Sequence, residues 1–244
     1  MAPIDPDLLL RAYAIGVFPM SDGRDAKDVY WVEPRRRAIL PLDSFHLSKS
    51  LRKTLRSDRF TVTRDTAFAR VIRACAERAE TWINADIESS YAALHALGQA
   101  HSVETWEDGE LVGGLYGVRL GSAFFGESMF SRTTDASKVA LAWLVARLIA
   151  GGFRLLDCQF MTDHLKSLGA IEVTQQRYLE MLSAELETAG AFSPPSAAGR
   201  GDARRVEPPV PPDFGALDRL LEASSGGGGG PPGCVIAQLL TSTS

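Results

Sequence analysis

Apolar residues recur at helical spacing in several segments of the chain. Leu47, Leu51 and Leu55 stand at positions i, i+4 and i+8, so residues 46–56 are predicted to form a helix with one apolar face. Asp5, which precedes a proline, is the predicted N-cap of the first helix. The complete set of predicted helices covers residues 5–14, 46–56, 67–78, 87–97, 135–150, 163–168 and 177–188.

Short apolar runs between these helices predict strands over residues 30–32, 60–64, 102–107, 111–118, 123–130, 153–159 and 171–173. Asp108-Gly109 separates two of them and is a strong hairpin signal. Residues 153–159 are apolar almost throughout, as in a strand that is buried on both faces. A three-stranded meander, a helix and then a buried strand is the order of GNAT-like acyltransferase folds. The predicted class is therefore mixed α/β (α+β) with a GNAT-like core.

The composition divides the chain into three parts. We expect a small N-terminal domain with a basic helix over residues 1–58 and a GNAT-like catalytic domain over 59–190. Residues 191–244 hold 8 of the 13 prolines and 9 of the 22 glycines, so this tail is predicted to be mostly disordered. Within it, residues 226–230 read as a flexible linker. The apolar stretch 234–240 is expected either to dock as an edge strand or to remain an adhesive tail.

The overall composition is that of a soluble globular protein, with 45% hydrophobic residues, 23% charged residues and a net charge of −4. The apolar run near the middle of the chain, residues 139–146, is far shorter than the roughly 20 residues of a membrane-spanning helix. The first residues lack the basic start of a secretory signal, so we expect a cytoplasmic protein. Three cysteines without a CxxC pair exclude a disulfide scaffold and a zinc ribbon, and we expect no bound metal.

Polar residues stand at the ends of two predicted strands. Glu127 follows Gly126 at the end of one, while Asp157 and Gln159 end the buried strand and share one of its faces. The carboxyl ends of buried strands are where α/β proteins place their sites. Glu127 either faces solvent or points into a cleft, and Asp157 and Gln159 either form a site or cap the next helix. Cys158 points the other way and is expected in the core.

A basic segment lies in the N-terminal part of the chain. Residues 34–59 contain eight Lys and Arg against two Asp, although the whole chain carries net negative charge. Four of the cations, Lys49, Arg52, Lys53 and Arg56, lie at helical spacing opposite the leucine face of their predicted helix. They either form a solvated face or contact a phosphate backbone, and such contact is sensitive to salt. Further along, Trp82 is either a packing residue or a platform for an unpaired base.

Several motifs resemble those of bacterial leucyl/phenylalanyl-tRNA–protein transferases in order and spacing. They are AY and GVFP within residues 12–19, WI at 82–83, HSVETW at 101–106, LVGGLYG at 111–117, FGESMFSR at 125–132, ASK at 136–138, DCQ at 157–159 and HLKSLGA at 164–170. The resemblance covers residues 5–190. Met20 stands where many members carry a tryptophan that helps to hold the terminal nucleotide. The pyrophosphate loop of coenzyme A-dependent acetyltransferases is missing, which argues against that class.

The resemblance implies an aminoacyltransferase that uses aminoacyl-tRNA as a substrate and needs no metal or coenzyme. Enzymes of this family move Leu or Phe, less often Met, to the α-amine of proteins that begin with Arg or Lys. The product carries an N-degron and is degraded by the N-end rule. We expect a monomer with no membrane partner. The alternatives are another aminoacyl-tRNA-dependent transferase of GNAT-like fold and a non-catalytic tRNA-binding module.

The resemblance also implies roles for individual residues. The reaction centre is expected at Asp157, Gln159 and Glu127. The apolar pocket for the aminoacyl side chain is expected at Leu115, Met129, Leu141, Leu144, Leu148 and Leu156. The terminal adenosine is expected at Trp82 and Met20, and tRNA contacts are expected at Lys49, Arg52, Lys53 and Arg56.

The chemistry expected of these residues is modest, because the ester of an aminoacyl-tRNA is already activated. The enzyme must align a free amine with the ester carbonyl. The amide oxygen of Gln159 is expected to accept a hydrogen bond from that amine, while Asp157 polarises Gln159 from the same strand face. Glu127 is expected to position the loop or the incoming cation.

Overall fold

The computed structural model describes residues 3–78, 80–188, 210–226 and 231–242. Its strands are β1 (Phe18–Met20), β2 (Tyr30–Val32), β3 (Arg36–Ile39), β4 (Thr61–Arg64), β5 (Ala100–Glu107), β6 (Glu110–Leu120), β7 (Ala123–Ser131), β8 (Leu155–Gln159) and β9 (Ile171–Thr174). Its helices are α1 (Pro6–Ala14), α2 (Lys49–Arg56), α3 (Phe68–Ala76), α4 (Ala85–Ala96), α5 (Ala136–Ala150), α6 (Asp163–Ser167), α7 (Gln175–Thr188), α8 (Ala216–Gly226) and α9 (Pro232–Ser242). Every helix and strand predicted before residue 189 is present, and the structure adds β1 and β3.

A seven-stranded mixed sheet forms the centre of the protein, in the order β4-β5-β6-β7-β8-β3-β9. Neighbouring strands are antiparallel, except for β7 and β8, which run parallel. A parallel pair needs a crossover connection, and α5 supplies it. The predicted meander, helix and buried strand are therefore confirmed, and so is the mixed α/β class. β1 and β2 form a separate antiparallel pair.

The two parallel strands separate near their carboxyl ends. Their pairing runs from Ala123 opposite Leu155 to Phe125 opposite Asp157, whereas β7 continues to Ser131. Beyond Phe125 and Asp157, β7 and β8 are no longer joined by backbone hydrogen bonds. Polar side chains beyond this pair therefore lie at an opening between the two strands.

A bulge shapes β7 at the same level. Tyr116 of β6 faces Ser128 and the next residue, Gly117, faces Gly126, so Glu127 is the extra residue of the bulge. Gly117 has no room for a side chain, because a Cβ atom there would overlap the backbone of β7. The bulge shifts the alternation of side chains and aims Glu127 at the interior.

Each face of the sheet carries its own apolar core. Helices α2, α5, α8 and α9 cover one face, where Leu51, Leu144 and Ile236 are buried in one cluster. Helices α1, α3, α4 and α7 cover the other face, where Tyr13 and Tyr91 are buried. The opening between β7 and β8 lies between these two cores.

Helix α2 begins at Lys49 and not at residue 46, as the sequence predicts. The N–H of His46 donates to the carbonyl oxygen of Leu168 at 2.9 Å, which ties the preceding residues to a neighbouring loop. The side chain of Ser48 then accepts from the N–H of Leu51 at 3.2 Å and caps the helix. The apolar face of α2 is buried as its periodicity indicates.

The predicted domain boundary at residue 58 does not separate two units in the described structure. β3 lies inside the predicted N-terminal domain, yet it is an inner strand of the main sheet, between β8 and β9. Helix α2 packs against α5 and α9. The N-terminal part therefore shares its sheet and its core with the rest of the chain.

The predicted disorder of the tail is wrong for helices α8 (Ala216–Gly226) and α9 (Pro232–Ser242), which pack on the core. Asp218 of α8 pairs with the buried Arg147 at 2.6 Å, and Phe214 stacks on Phe124. The apolar stretch 234–240 is neither an edge strand nor an adhesive tail. It is part of helix α9, which buries Ile236 against α2 and α5. Residues 191–209 of the tail and residues 227–230 of the predicted linker lie outside the described residues.

Candidate active site

A cavity of about 380 Å³ opens where β7 and β8 separate. Its apolar lining includes the five predicted residues Leu115, Met129, Leu141, Leu144 and Leu156, and also Phe160 and Leu165. Glu127, Gln159 and Trp82 line the same cavity. The structure thus brings together eight of the residues assigned by the resemblance.

Leu148 is the one predicted pocket residue that does not line this cavity. It lies one helical turn beyond Leu144 on α5 and is completely buried in the core. Helix α5 is apolar on nearly all sides, so its periodicity does not distinguish a residue that faces a cavity from one that packs behind it.

Glu127 is buried against two tyrosines. Its Oε1 lies 2.6 Å from the hydroxyl of Tyr13 and 2.7 Å from Nε2 of Gln159, and its Oε2 lies 2.8 Å from the hydroxyl of Tyr91. Burial raises the pKa of Glu127 to about 7, against the opposing effect of the tyrosine hydrogen bonds. The alternative of a solvent-facing carboxylate is therefore wrong.

Asp157 lies behind the cavity lining and is fully buried. It accepts hydrogen bonds from Nε of Arg37 at 2.9 and 3.1 Å and from its Nη2 at 2.6 Å. The hydroxyl of Tyr178 donates to it at 2.7 Å. Burial by itself lowers the pKa of Arg37, but the Asp157 carboxylate raises it above its usual value. The guanidinium also lies over the rings of Phe18 and Tyr178, at 4.7 and 4.5 Å from their centroids.

Gln159 joins the two carboxyl groups. Its backbone N–H donates to Oδ1 of Asp157 at 2.8 Å, while its side chain donates to Glu127. Its φ of +62° lies in the left-handed region, which is uncommon for a residue other than glycine and costs about 1–3 kcal/mol. The sequence predicts a contact between the side chains of Asp157 and Gln159, and the structure instead shows a contact with the backbone. Asp157 therefore fixes the backbone position of Gln159 at the end of β8.

Neither Asp157 nor Gln159 caps the following helix. Thr162 takes that place, since its hydroxyl accepts from the N–H of Leu165 at 3.2 Å. Cys158 packs at the edge of the core, as expected, and also lines the cavity. Burial raises the pKa of its thiol, which opposes a thiolate nucleophile there.

Of the residues expected near the tRNA, Trp82 lines the cavity but Met20 does not. Met20 is half-buried in the same core as Trp82. Its neighbour Ser21 donates to the carbonyl oxygen of Trp82, from N–H at 3.1 Å and from Oγ at 2.8 Å. The strand that carries Met20 is thereby attached to the segment that carries Trp82.

The basic face of α2 lies apart from the cavity. Lys49, Arg52, Lys53 and Arg56 line a separate surface depression together with Ser57. Nε of Arg52 is buried and has no hydrogen-bond partner among the residues that the structure describes. The four cations therefore form a surface of their own, which we call the α2 basic face.

Four residues of the site, Tyr13, Arg37, Tyr91 and Tyr178, are missing from the sequence prediction. Tyr13 belongs to the N-terminal motif that carries the resemblance, so a signal for it was present. Arg37 stands in a run of three arginines, and nothing in that run distinguishes the one that is 1% exposed. Tyr91 and Tyr178 lie on helices whose periodicity places them inside without indicating a polar partner.

No helix in the described ranges is long and apolar enough to cross a membrane. Over those same residues, no group of three or more His, Cys, Asp or Glu side chains is arranged to hold a metal ion.

The site is an apolar cavity whose lining includes an amide and a carboxyl group, an arrangement that can bind an apolar group beside a reacting polar centre. The family model described as leucyl/phenylalanyl-tRNA protein transferase matches residues 39–183, and the model of the N-terminal domain of that family matches residues 2–35. The chain therefore belongs to the leucyl/phenylalanyl-tRNA protein transferase family. The two matches meet at β3 rather than at residue 58.

Two relatives match almost over their full length, and both are named leucyl/phenylalanyl-tRNA–protein transferase. The one from Rhizorhabdus wittichii is 61% identical and covers 100% of both chains. The one from Novosphingobium aromaticivorans is 51% identical and covers 99% of this chain and 97% of the relative. A solved structure of FemX aligns over 72% of this chain and 71% of its own, with 15% identity and a TM-score of 0.48.

Proposed function

We propose that the protein transfers Leu or Phe, and less readily Met, from aminoacyl-tRNA to the α-amine of proteins that begin with Arg or Lys. The product would be an N-degron substrate for proteolysis. The observation that carries this proposal is the apolar cavity that Gln159 and Glu127 also line, in a chain of this family. A monomer acting in the cytoplasm is part of the same proposal.

The reaction joins an amine to an ester that is already activated. The amine attacks the ester carbonyl, the bond to the ribose oxygen breaks, and one proton leaves the amine while the ribose oxygen gains one. Alignment of the two reactants can lower the barrier by about 7–11 kcal/mol. An α-amine has a pKa of about 7.7–8.0, so a useful neutral fraction is present without a strong base. The amide of Gln159 suits this task, because its oxygen accepts a hydrogen bond and orients the amine.

Selectivity for the aminoacyl group follows from the cavity lining. Six Leu and Met side chains line a space that can hold Leu, Phe or Met, and such pockets distinguish apolar groups only weakly. A polar or charged side chain would lose its water against this mainly apolar lining, which costs several kcal/mol. We therefore expect broad acceptance of large apolar residues and strong rejection of polar ones.

The α2 basic face and the Trp82 segment are proposed to hold the tRNA. Trp82 lines the cavity and offers an aromatic surface for the terminal base, and Met20 packs against the same core as Trp82. Lys53→Glu on the α2 basic face is expected to weaken tRNA binding and to lower the slope of log affinity against log salt by about 1–2. Arg177→Glu is the matched control, because Arg177 is an exposed cation on α7, away from α2. Equal effects of the two variants would argue against a role for α2.

The transfer reaction is tested with labelled Phe-tRNA and two peptides that differ only at the first residue, Arg against Ala. Transfer to the Arg peptide alone is the expected result. Transfer to neither peptide, with tRNA still bound, would contradict the proposed reaction and favour a tRNA-binding module. Transfer to an amine that is not a protein N-terminus would favour another aminoacyl-tRNA-dependent transferase.

A further inference from the structure

Three polar groups contact one another in the interior beside the opening between β7 and β8: the hydroxyls of Tyr13 and Tyr91 and the carboxyl group of Glu127. The hydroxyl of Tyr13 lies 2.6 Å from Oε1 of Glu127, and the hydroxyl of Tyr91 lies 2.8 Å from Oε2. The two hydroxyls lie 2.5 Å from each other. Both tyrosines are completely buried and Glu127 is 7% exposed, so bulk water does not share these contacts. Each of the three contacts is short enough to require a hydrogen between its oxygen atoms.

A count of protons shows what these distances require. Each phenol carries one hydrogen, so the two tyrosines supply two hydrogens for three contacts. If Glu127 were ionised, both hydrogens would point to the carboxylate and two hydroxyl oxygens would face each other at 2.5 Å without one. A third hydrogen on Oε2 of Glu127 removes the conflict. Oε2 then donates to Tyr91, Tyr91 donates to Tyr13, and Tyr13 donates to Oε1.

We infer that Glu127 is a neutral carboxylic acid, closed into a ring of hydrogen bonds with Tyr13 and Tyr91, and that this ring is the device that orients the Gln159 amide. The role of Gln159 as the hydrogen-bond acceptor for the substrate amine rests on the proposed function. The protonation state of Glu127 stands on the geometry of the ring.

The orientation of the Gln159 amide follows from the one oxygen of Glu127, Oε1, that accepts hydrogen bonds in this ring. With its hydrogen on Oε2, Glu127 offers Oε1 as an acceptor, and Oε1 takes hydrogen bonds from Tyr13 and from Nε2 of Gln159 at 2.7 Å. The amide nitrogen of Gln159 is thereby committed to Glu127. The amide oxygen is the remaining polar atom of a side chain that lines the cavity, and it is the atom that a substrate amine needs as an acceptor.

The charges around Glu127 agree with a neutral acid. Asp157 of β8 opposes its ionisation, but that carboxylate is paired with Arg37 of β3, whose charge acts in the other direction. Tyr116 of β6 is a buried neutral phenol on the same side of the sheet. Burial raises the pKa of Glu127 to about 7, so its proton is lost only above the usual range of a carboxyl group.

Infrared difference spectroscopy tests the protonation state without requiring activity. The spectrum of the full chain minus that of Glu127→Gln, taken at about pH 5.5, isolates the Glu127 carboxyl group at a pH where ordinary glutamates are ionised. A carboxylic acid C=O band is expected in the wild type at that pH and is expected to disappear as the pH rises to about 8.5. A carboxylate signal already present at the lower pH would overturn the inference.

The positioning role is tested by the conservative variant. Gln at position 127 can reproduce the ring, because its Nε2 donates to Tyr91 while its Oε1 accepts from Tyr13 and Gln159. We expect Glu127→Gln to retain about tenfold more transfer than Glu127→Ala, and the ratio of wild-type to Glu127→Gln activity to fall as the pH rises above about 7. Equal losses in Gln and Ala variants would overturn the role of the ring. If no form of the enzyme transfers Phe, the proposed function fails while the infrared result still decides the state of Glu127.

Discussion

Replacing Asp157 by asparagine tests the ion pair beneath the site. The carboxylate accepts three hydrogen bonds of 2.6–3.1 Å from Arg37, and the two side chains are 0% and 1% exposed. The substitution removes the counter-charge and leaves a guanidinium buried without one. Losing one partner of a buried pair costs about 3–5 kcal/mol. We therefore expect Asp157→Asn to lower the free energy of unfolding by about 3–5 kcal/mol.

Urea denaturation of four proteins provides the measurement: wild type, Asp157→Asn, Arg37→Met and the double variant. The double variant carries neither charge. We expect it to lose about 2 kcal/mol less than the sum of the two single variants, because the residues interact directly. If Asp157→Asn unfolded within about 1 kcal/mol of the wild type, or if the two effects were additive, the assignment of a strong buried pair would be refuted.

The same variant separates stability from catalysis. Asp157 does not line the cavity and contacts Gln159 through the backbone, so its loss acts on the reaction by displacing Gln159. At a temperature where Asp157→Asn remains folded, we expect slower Phe transfer with unchanged affinity for Phe-tRNA. An equal loss of both would show that Asp157 supports the fold alone.

Three further predictions concern neighbouring features. Burial raises the pKa of Glu127 from 4.5 to about 7, so the stability that comes from its neutral form is present below pH 4.5 and is lost as the pH rises through about 7. Between pH 4.5 and a pH above 7, the wild type is expected to lose about 3 kcal/mol of unfolding free energy relative to Glu127→Gln. Urea titrations at several pH values measure this, and an equal pH dependence of the unfolding free energy in the two proteins would contradict it. Leu144→Ala enlarges the cavity and should shift the Phe-to-Leu transfer ratio, whereas Leu148→Ala should cost about 2–5 kcal/mol of stability and leave the ratio unchanged. Asp218→Asn weakens the tie between α8 and the buried Arg147 and is expected to cost about 1–3 kcal/mol in urea titrations, and an unchanged midpoint would show that α8 is held by its apolar contacts.

Periodicity was sufficient for the elements whose neighbours lie nearby in the sequence. The meander, α5 and β8 carry strong apolar patterns, and their order alone indicates a parallel pair joined by a helix. β3 is different, because Arg36–Ile39 shows no alternation that distinguishes an inner strand. It becomes a strand by pairing with β8 and β9, which lie more than a hundred residues away in the sequence. Composition misjudged the tail for a related reason, since a few apolar residues such as Ile236 and Leu240 suffice when a large surface is already present to receive them.

The site shows the same division. Glu127, Asp157 and Gln159 could be singled out because polar residues interrupt apolar strands, and the structure places them together. Their partners Tyr13, Tyr91 and Arg37 come from other parts of the chain, and each looks like an ordinary helix or basic residue when read alone. The sequence thus indicates which strands carry the polar residues of the site. Whether each of their carboxyl groups is charged depends on contacts with residues from distant parts of the chain.

The two buried carboxyl groups illustrate how those contacts decide charge. Asp157 faces a guanidinium, a phenol and a backbone N–H, which all donate hydrogen bonds to it, and it forms an ion pair with Arg37. Glu127 faces two phenols that also contact each other, and this arrangement lacks one hydrogen unless the carboxyl group keeps its own. The cavity is therefore lined by an acid without net charge and backed by a neutralised pair. Under the proposed function, a neutral Glu127 and an Asp157 paired with Arg37 leave neither carboxyl group as a counter-ion for the Arg or Lys side chain of the acceptor.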